Sequence, residues 1–141
     1  MARKEKDLKI LEWIPMGHFP GYLMFNYRFK HKELMIELDN LQASNYIQAF
    51  SDDPERVDKN WCAMHREMEN TKTGEKINLY MLNIPDVFDF NEPYDYCKLA
   101  HEVLHICQFY LPDVLDRNIE IEAEAYFHTF LMEKILNLIK N

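Results

Sequence analysis

From residue 91 onward the chain reads as two long helices separated by one break, and that pair limits what the rest of the molecule can do. Asn91 can cap a helix whose first turn holds Glu92, Pro93 and Asp95, all favourable near a helix N-terminus. The helix should run to about Tyr110, where Leu111-Pro112 predicts a stop, because proline lacks a backbone N–H and disfavours helix before it. A second helix is expected from near Asp116 or Asn118 to about Lys140. Ile119, Ala123, Tyr126, Phe127 and Phe130 would form its apolar stripe. Residues 111–117 make a short connection, so the two helices should pack antiparallel.

The first half reads as strands and turns with some helix. Tyr22 to Phe29 is rich in aromatics and leads through a polar turn at Lys30 to Lys32 into Glu33 to Leu38. That pattern fits a hairpin, and Glu33 to Phe50 also fits partial helix. Asp52-Asp53-Pro54 breaks whatever precedes it. Residues 61–69 and 76–84 flank the turn sequence Asn70-Thr71-Lys72-Thr73-Gly74-Glu75, which predicts a β-hairpin ending at Pro85. The order is therefore a small antiparallel sheet followed by two helices: a single α+β domain spanning 1–141.

Composition removes several function classes. Gly17, Gly21 and Gly74 are the only glycines, which leaves no phosphate-cradling loop. The net charge is −8 with no basic stripe interleaved with aromatics, so a nucleic-acid partner is not expected. The basic residues Arg3, Lys4, Lys6 and Lys9 read as a solvated segment. Cys62, Cys97 and Cys107 are odd in number and lack a C-x-x-C spacing, which predicts reduced thiols. Cys97 and Cys107 read as core residues. No signal peptide and no bilayer-spanning segment is read from the sequence, and the expected location is cytoplasmic.

His101-Glu102-Val103-Leu104-His105 carries the chemistry. Positions i and i+4 of a helix share a face, so both imidazoles can reach one metal ion, and Glu102 stands where a carboxylate can act on bound water. Zinc in a catalytic site takes three protein ligands and leaves a fourth position open. Glu120, Glu122 and Glu124 begin the second helix, and antiparallel packing would return that turn to the His pair. Helical geometry leaves the choice among them open, since Glu122 and Glu124 flank the stripe on opposite sides. Cys97 shares a face with His101, but it lies about 12 Å along the axis from His105, too far for one ion to hold all three.

The H-E-x-x-H, taken with Glu122-Ala123-Glu124-Ala125-Tyr126-Phe127-His128-Thr129-Phe130-Leu131-Met132, resembles small zincin-type metallopeptidases of the ImmA/IrrE group and related prophage proteins. Their second helix begins E-A-N, where this chain has Glu124 in place of Asn, and the resemblance covers about the last third of the chain. It implies a minimal zincin-like domain of gluzincin type, with the Zn2+ ligands His101, His105 and Glu122 and with Glu102 activating a zinc-bound water. The implied function is hydrolysis of a peptide bond in an intracellular protein substrate, and the resemblance implies a phage or other mobile-element origin for the chain. Tyr126 and His128 are candidates to stabilise the oxyanion, and the strand Ile77 to Ile84 is the expected substrate edge. A different class stays open beside it: a non-catalytic protein that keeps the scaffold to sequester a partner.

The remaining residues have plainer readings. His18, His31, His65 and His128 lack partner spacing and read as surface or packing. Trp13 and Trp61 read as core, and Asp86 and Asp89 as loop residues.

Overall fold

The computed structural model describes residues 7–16, 21–69, 71–114 and 120–140, with the side chains of 113, 114 and 120–122 left out. The strands are β1 (Ile10–Pro15), β2 (Tyr22–Tyr27), β3 (Cys62–Glu69) and β4 (Lys76–Ile84). The helices are α1 (His31–Asn40), α2 (Ser44–Phe50), α3 (Pro54–Lys59), α4 (Pro93–Val114) and α5 (Glu120–Lys140). The class is α+β, with a four-stranded sheet in the order β1-β2-β4-β3.

The sheet is mixed, whereas an antiparallel one was expected. β1 and β2 are antiparallel, as are β3 and β4, but β2 runs parallel to β4, with Leu23 opposite Tyr80 and Tyr27 opposite Ile84. The reason is the segment after β2. Its alternative reading as a hairpin arm gives way to helix, because Leu34 and Leu38 bury one i, i+4 face against the sheet. Three short helices then carry the chain across the sheet before β3, and Pro54 starts α3 in the first turn, where its missing N–H costs nothing. The expected hairpin forms as β3 and β4, with Cys62 opposite Asn83 and Glu69 opposite Lys76.

Both faces of the sheet are covered, and strand alternation sorts the side chains between them. Leu23, Phe25 and Tyr27 of β2 and Tyr80, Leu82 and Ile84 of β4 join α4 and α5 in one cluster. Met24, Leu79 and Met81 point the other way, against Leu34, Leu38, Phe50 and Val57 of α1 to α3. A strand covered on both faces reads as a continuous apolar run, which is how β2 and β4 are written. Among these residues one polar pair is sealed in: Asn26 Nδ2 donates to Asn83 Oδ1 (2.7 Å), and Asn83 Nδ2 donates to the carbonyls of Val57 and Asn60. These bonds fasten the end of α3 to the centre of the sheet.

α4 departs from expectation at both ends. Its start is capped by Glu92, whose Oε1 accepts the Tyr94 N–H (3.1 Å), while the Asn91 N–H donates to Asp89. Its end passes Leu111-Pro112 and reaches Val114. A proline in the last turn of a helix removes a single i→i−4 bond, so the helix runs at least four residues past the expected end near Tyr110. The face turned to the core is Leu99, Val103, Ile106 and Tyr110, each at most 2% exposed. α5 buries Phe127, Leu131, Ile135 and Ile139. Of the expected stripe, Phe127 is buried, Ala123 and Phe130 are half-buried, Ile119 lies outside the described residues, and Tyr126 is 76% exposed. The tryptophans are half-buried, short of full core positions.

Candidate metal centre

The front of α4 carries the sequence motif. His101 and His105 lie one turn apart, with Nε2 atoms separated by 3.1 Å and rings nearly perpendicular. Two nitrogens bound tetrahedrally to one zinc at 2.0–2.1 Å stand about 3.3 Å apart. The pair is therefore already spaced to share an ion. Without a metal the same contact is a hydrogen bond between the two rings.

Gln108 Oε1 lies 3.2 Å from His105 Nδ1 and is placed to accept from it, the arrangement that would turn Nε2 to a metal ion. Phe109, four residues on, stacks beside the His105 ring at 6.2 Å between centroids and against His65 at 5.8 Å. His65 is thus a packing residue, lying on Tyr80 and donating from Nε2 to Asn78 Oδ1 (2.8 Å).

Glu102 is placed by a contact that crosses the fold. Its Oε2 accepts the backbone N–H of Ala63 on β3 (2.8 Å), and Oε1 stands 3.8 Å from His101 Nε2. β3 is the outer strand of the sheet, so the Ala63 N–H turned away from β4 would otherwise lack a ladder partner. With its side chain 14% exposed, the carboxylate has one oxygen tied to the sheet and the other beside the imidazoles. His101, Glu102 and His105 form the one group among the described residues whose ligand atoms lie together, within 4.8 Å of one another.

The candidate third ligands fall differently. Glu124 is outside that group and lines a second groove with Leu104, Ala125, His128 and Thr129. It lies near enough to Cys107 to help burial push that thiol up to about 12. The side chains of Glu120 and Glu122 lie outside the described residues.

The oxyanion candidates are not brought to the pair. Tyr126 is exposed, and His128 donates from Nε2 to the Ala100 carbonyl (3.0 Å), which ties α5 to α4. The expected substrate edge is corrected as well: Ile77 to Ile84 lies in β4, an inner strand paired with β3 along most of its length and with β2 from Tyr80 to Ile84, so over that stretch it offers no free edge. The edge beside Glu102 is β3. Cys97, read as a core thiol, is exposed, whereas Cys62 and Cys107 are buried.

One neighbour of the site was not anticipated from the sequence. A groove of about 410 Å³ beside His101 and Glu102 is lined by Trp61, Tyr94, Cys97 and Lys98. Tyr94, Lys98, His101 and His105 recur at spacings of three and four, so helical periodicity alone could have joined them. Trp61 comes from the start of β3 and has no such signal.

Compared with family models, curated proteins and solved structures, the chain matches none. No helix among the described residues is long and apolar enough to cross a membrane.

Proposed function

We propose that this protein is a zinc-dependent metallopeptidase. The observation that carries the reading is the 3.1 Å approach of His101 Nε2 and His105 Nε2 with Glu102 Oε1 beside them, all within two turns of one helix. His101 and His105 would hold the ion, with Glu122 as the third ligand by resemblance to the zincin-type peptidases. When bound, zinc supplies Lewis-acid polarisation of a carbonyl and makes water more acidic.

The protein's own part is to hold groups and move a proton. Glu102 Oε1 takes a proton from the attacking water and returns it to the departing amine. The Ala63 N–H on Oε2 keeps the carboxylate from turning away between those events. Gln108 orients His105 through Nδ1. β3 presents a strand edge next to Glu102, along which an extended peptide can lie.

Zinc content, measured by mass spectrometry on wild type and on His101→Ala prepared identically, is the test. About one zinc per chain, lost in the variant, is expected of a site of this kind. A wild-type protein that takes up no zinc when offered it would end the reading. A second reading comes from the same 3.1 Å contact as an imidazole hydrogen bond: a metal-free scaffold that sequesters a partner protein. It predicts no zinc and undiminished function in Glu102→Gln.

A further inference from the structure

The groove next to His101 and Glu102 has a built interior. Lys98 is the one lysine or arginine among the six described residues that line it. Its ammonium sits 4.0 Å from the centre of the Trp61 ring and 5.2 Å from that of Tyr94. Asp95 Oδ1 stands 3.4 Å from it, while Asp95 Oδ2 accepts the Asp89 N–H (2.8 Å) and is thereby fixed. Trp61 is held in turn by its Nε1–H, which donates to Asp86 Oδ2 (3.2 Å). Lys98 therefore stands in a defined place, its side chain still 29% exposed, one helical turn before His101.

An ammonium carries three donors, and Asp95 takes one. The ammonium is positioned by two aromatic faces and a buried carboxylate, at the wall of a groove that His101 and Glu102 also line.

We propose that this groove is a carboxylate subsite, in which Lys98 selects substrates bearing an anionic group next to the bond that is cut. Trp61 and Tyr94 cover the apolar stem of that group. The proposal rests on the peptidase reading of the adjoining His pair. Two sources supply the chemistry: an acidic side chain within a peptide, or the carboxylate at a peptide's C-terminus.

The experiment is calorimetric binding of short peptides to the Glu102→Gln protein in zinc-containing buffer, with bound zinc quantified in parallel. One peptide carries an internal Glu and an amidated C-terminus, a second has Gln in place of that Glu, and a third is the Gln peptide with a free C-terminal carboxylate. A carboxylate-bearing peptide is expected to bind about tenfold more tightly than the amidated Gln peptide, as for a charge-assisted hydrogen bond. Whichever of the two gains the tenfold identifies the source. Adding Lys98→Gln should abolish the preference, Lys98→Glu should reverse it, and Lys98→Arg should keep it. Equal binding of all three peptides, binding of none, or a preference that survives Lys98→Gln would overturn the subsite. Bound zinc without a preference defeats the subsite alone, whereas a chain that never takes up zinc defeats the peptidase reading, and the carboxylate preference is still measured.

Discussion

The back and front of α4 are built from one run of sequence and obey opposite rules. On the back, Leu99, Val103, Ile106 and Cys107 are fully buried against the sheet and α5. On the front, Tyr94, Cys97, Lys98, His101 and His105 meet the groove or solvent, and the two imidazole Nε2 atoms face each other. Burying the back is what holds the helix, so the front is free to carry groups that contribute little to stability. Glu102 lies at the border and belongs to both, since one oxygen satisfies the sheet and the other faces the imidazoles.

This contrast breaks if the back can be damaged cheaply or the front cannot be damaged without unfolding. Ile106→Ala removes a fully buried side chain from the cluster under α4 and should cost about 2–5 kcal/mol, read as a lower urea midpoint. A loss under 1 kcal/mol would mean the back is loosely packed. His105→Ala should abolish zinc uptake while moving the metal-free urea midpoint by no more than about 0.5 kcal/mol, as for a surface substitution. A large metal-free loss would make the imidazole pair structural. Glu102→Gln should keep the metal and the fold, because an amide oxygen can still accept the Ala63 N–H, and should remove peptide hydrolysis. Persistent turnover in that variant would take the proton-transfer role from Glu102. Gln108→Ala, which deletes only the acceptor for His105 Nδ1–H, should weaken zinc affinity about tenfold at unchanged stability.

How far such a division can be read from sequence depends on the range of the contacts involved. Helical spacing placed His101 above His105, and turn chemistry placed the β3–β4 hairpin, because both signals lie within a few residues. The position of β4 was less accessible. Its unbroken apolar run from Leu79 to Leu82 marks a strand covered on both faces, yet in sequence the same run serves an edge strand or a buried helix equally well. The parallel pairing of β2 with β4 depends on the helices between them, which an aromatic-rich segment followed by a polar turn does not reveal. The Glu102–Ala63 and Lys98–Trp61 contacts join residues far apart in the chain, and a backbone N–H or an aromatic face carries no local signature. On α5 the stripe was read in register at Ala123 and Phe127, but it continues through Leu131, Ile135 and Ile139, which were not included, and it excludes the exposed Tyr126.

The cysteines sharpen the contrast most finely, because α4 carries one on each side. Cys97 is exposed at the groove, and Cys107 is buried on the back. Burial raises the Cys107 thiol to about 12 and, on β3, the Cys62 thiol to about 11, since each thiolate would have to form away from water. A thiol whose folded pKa exceeds its unfolded value binds more protons in the native state. Stability is therefore unaffected below the unfolded pKa near 9 and falls as pH rises from there towards 11–12. Urea midpoints should be level between pH 7 and 8 and decline above pH 9, with Cys107→Ala reducing the slope. A thiol reagent at pH 8 should label Cys97 in the folded protein and reach Cys62 and Cys107 only on unfolding. Labelling of Cys107 at the same rate as Cys97 would show that the back of α4 opens readily, and the separation between its packing face and its chemical face would fail.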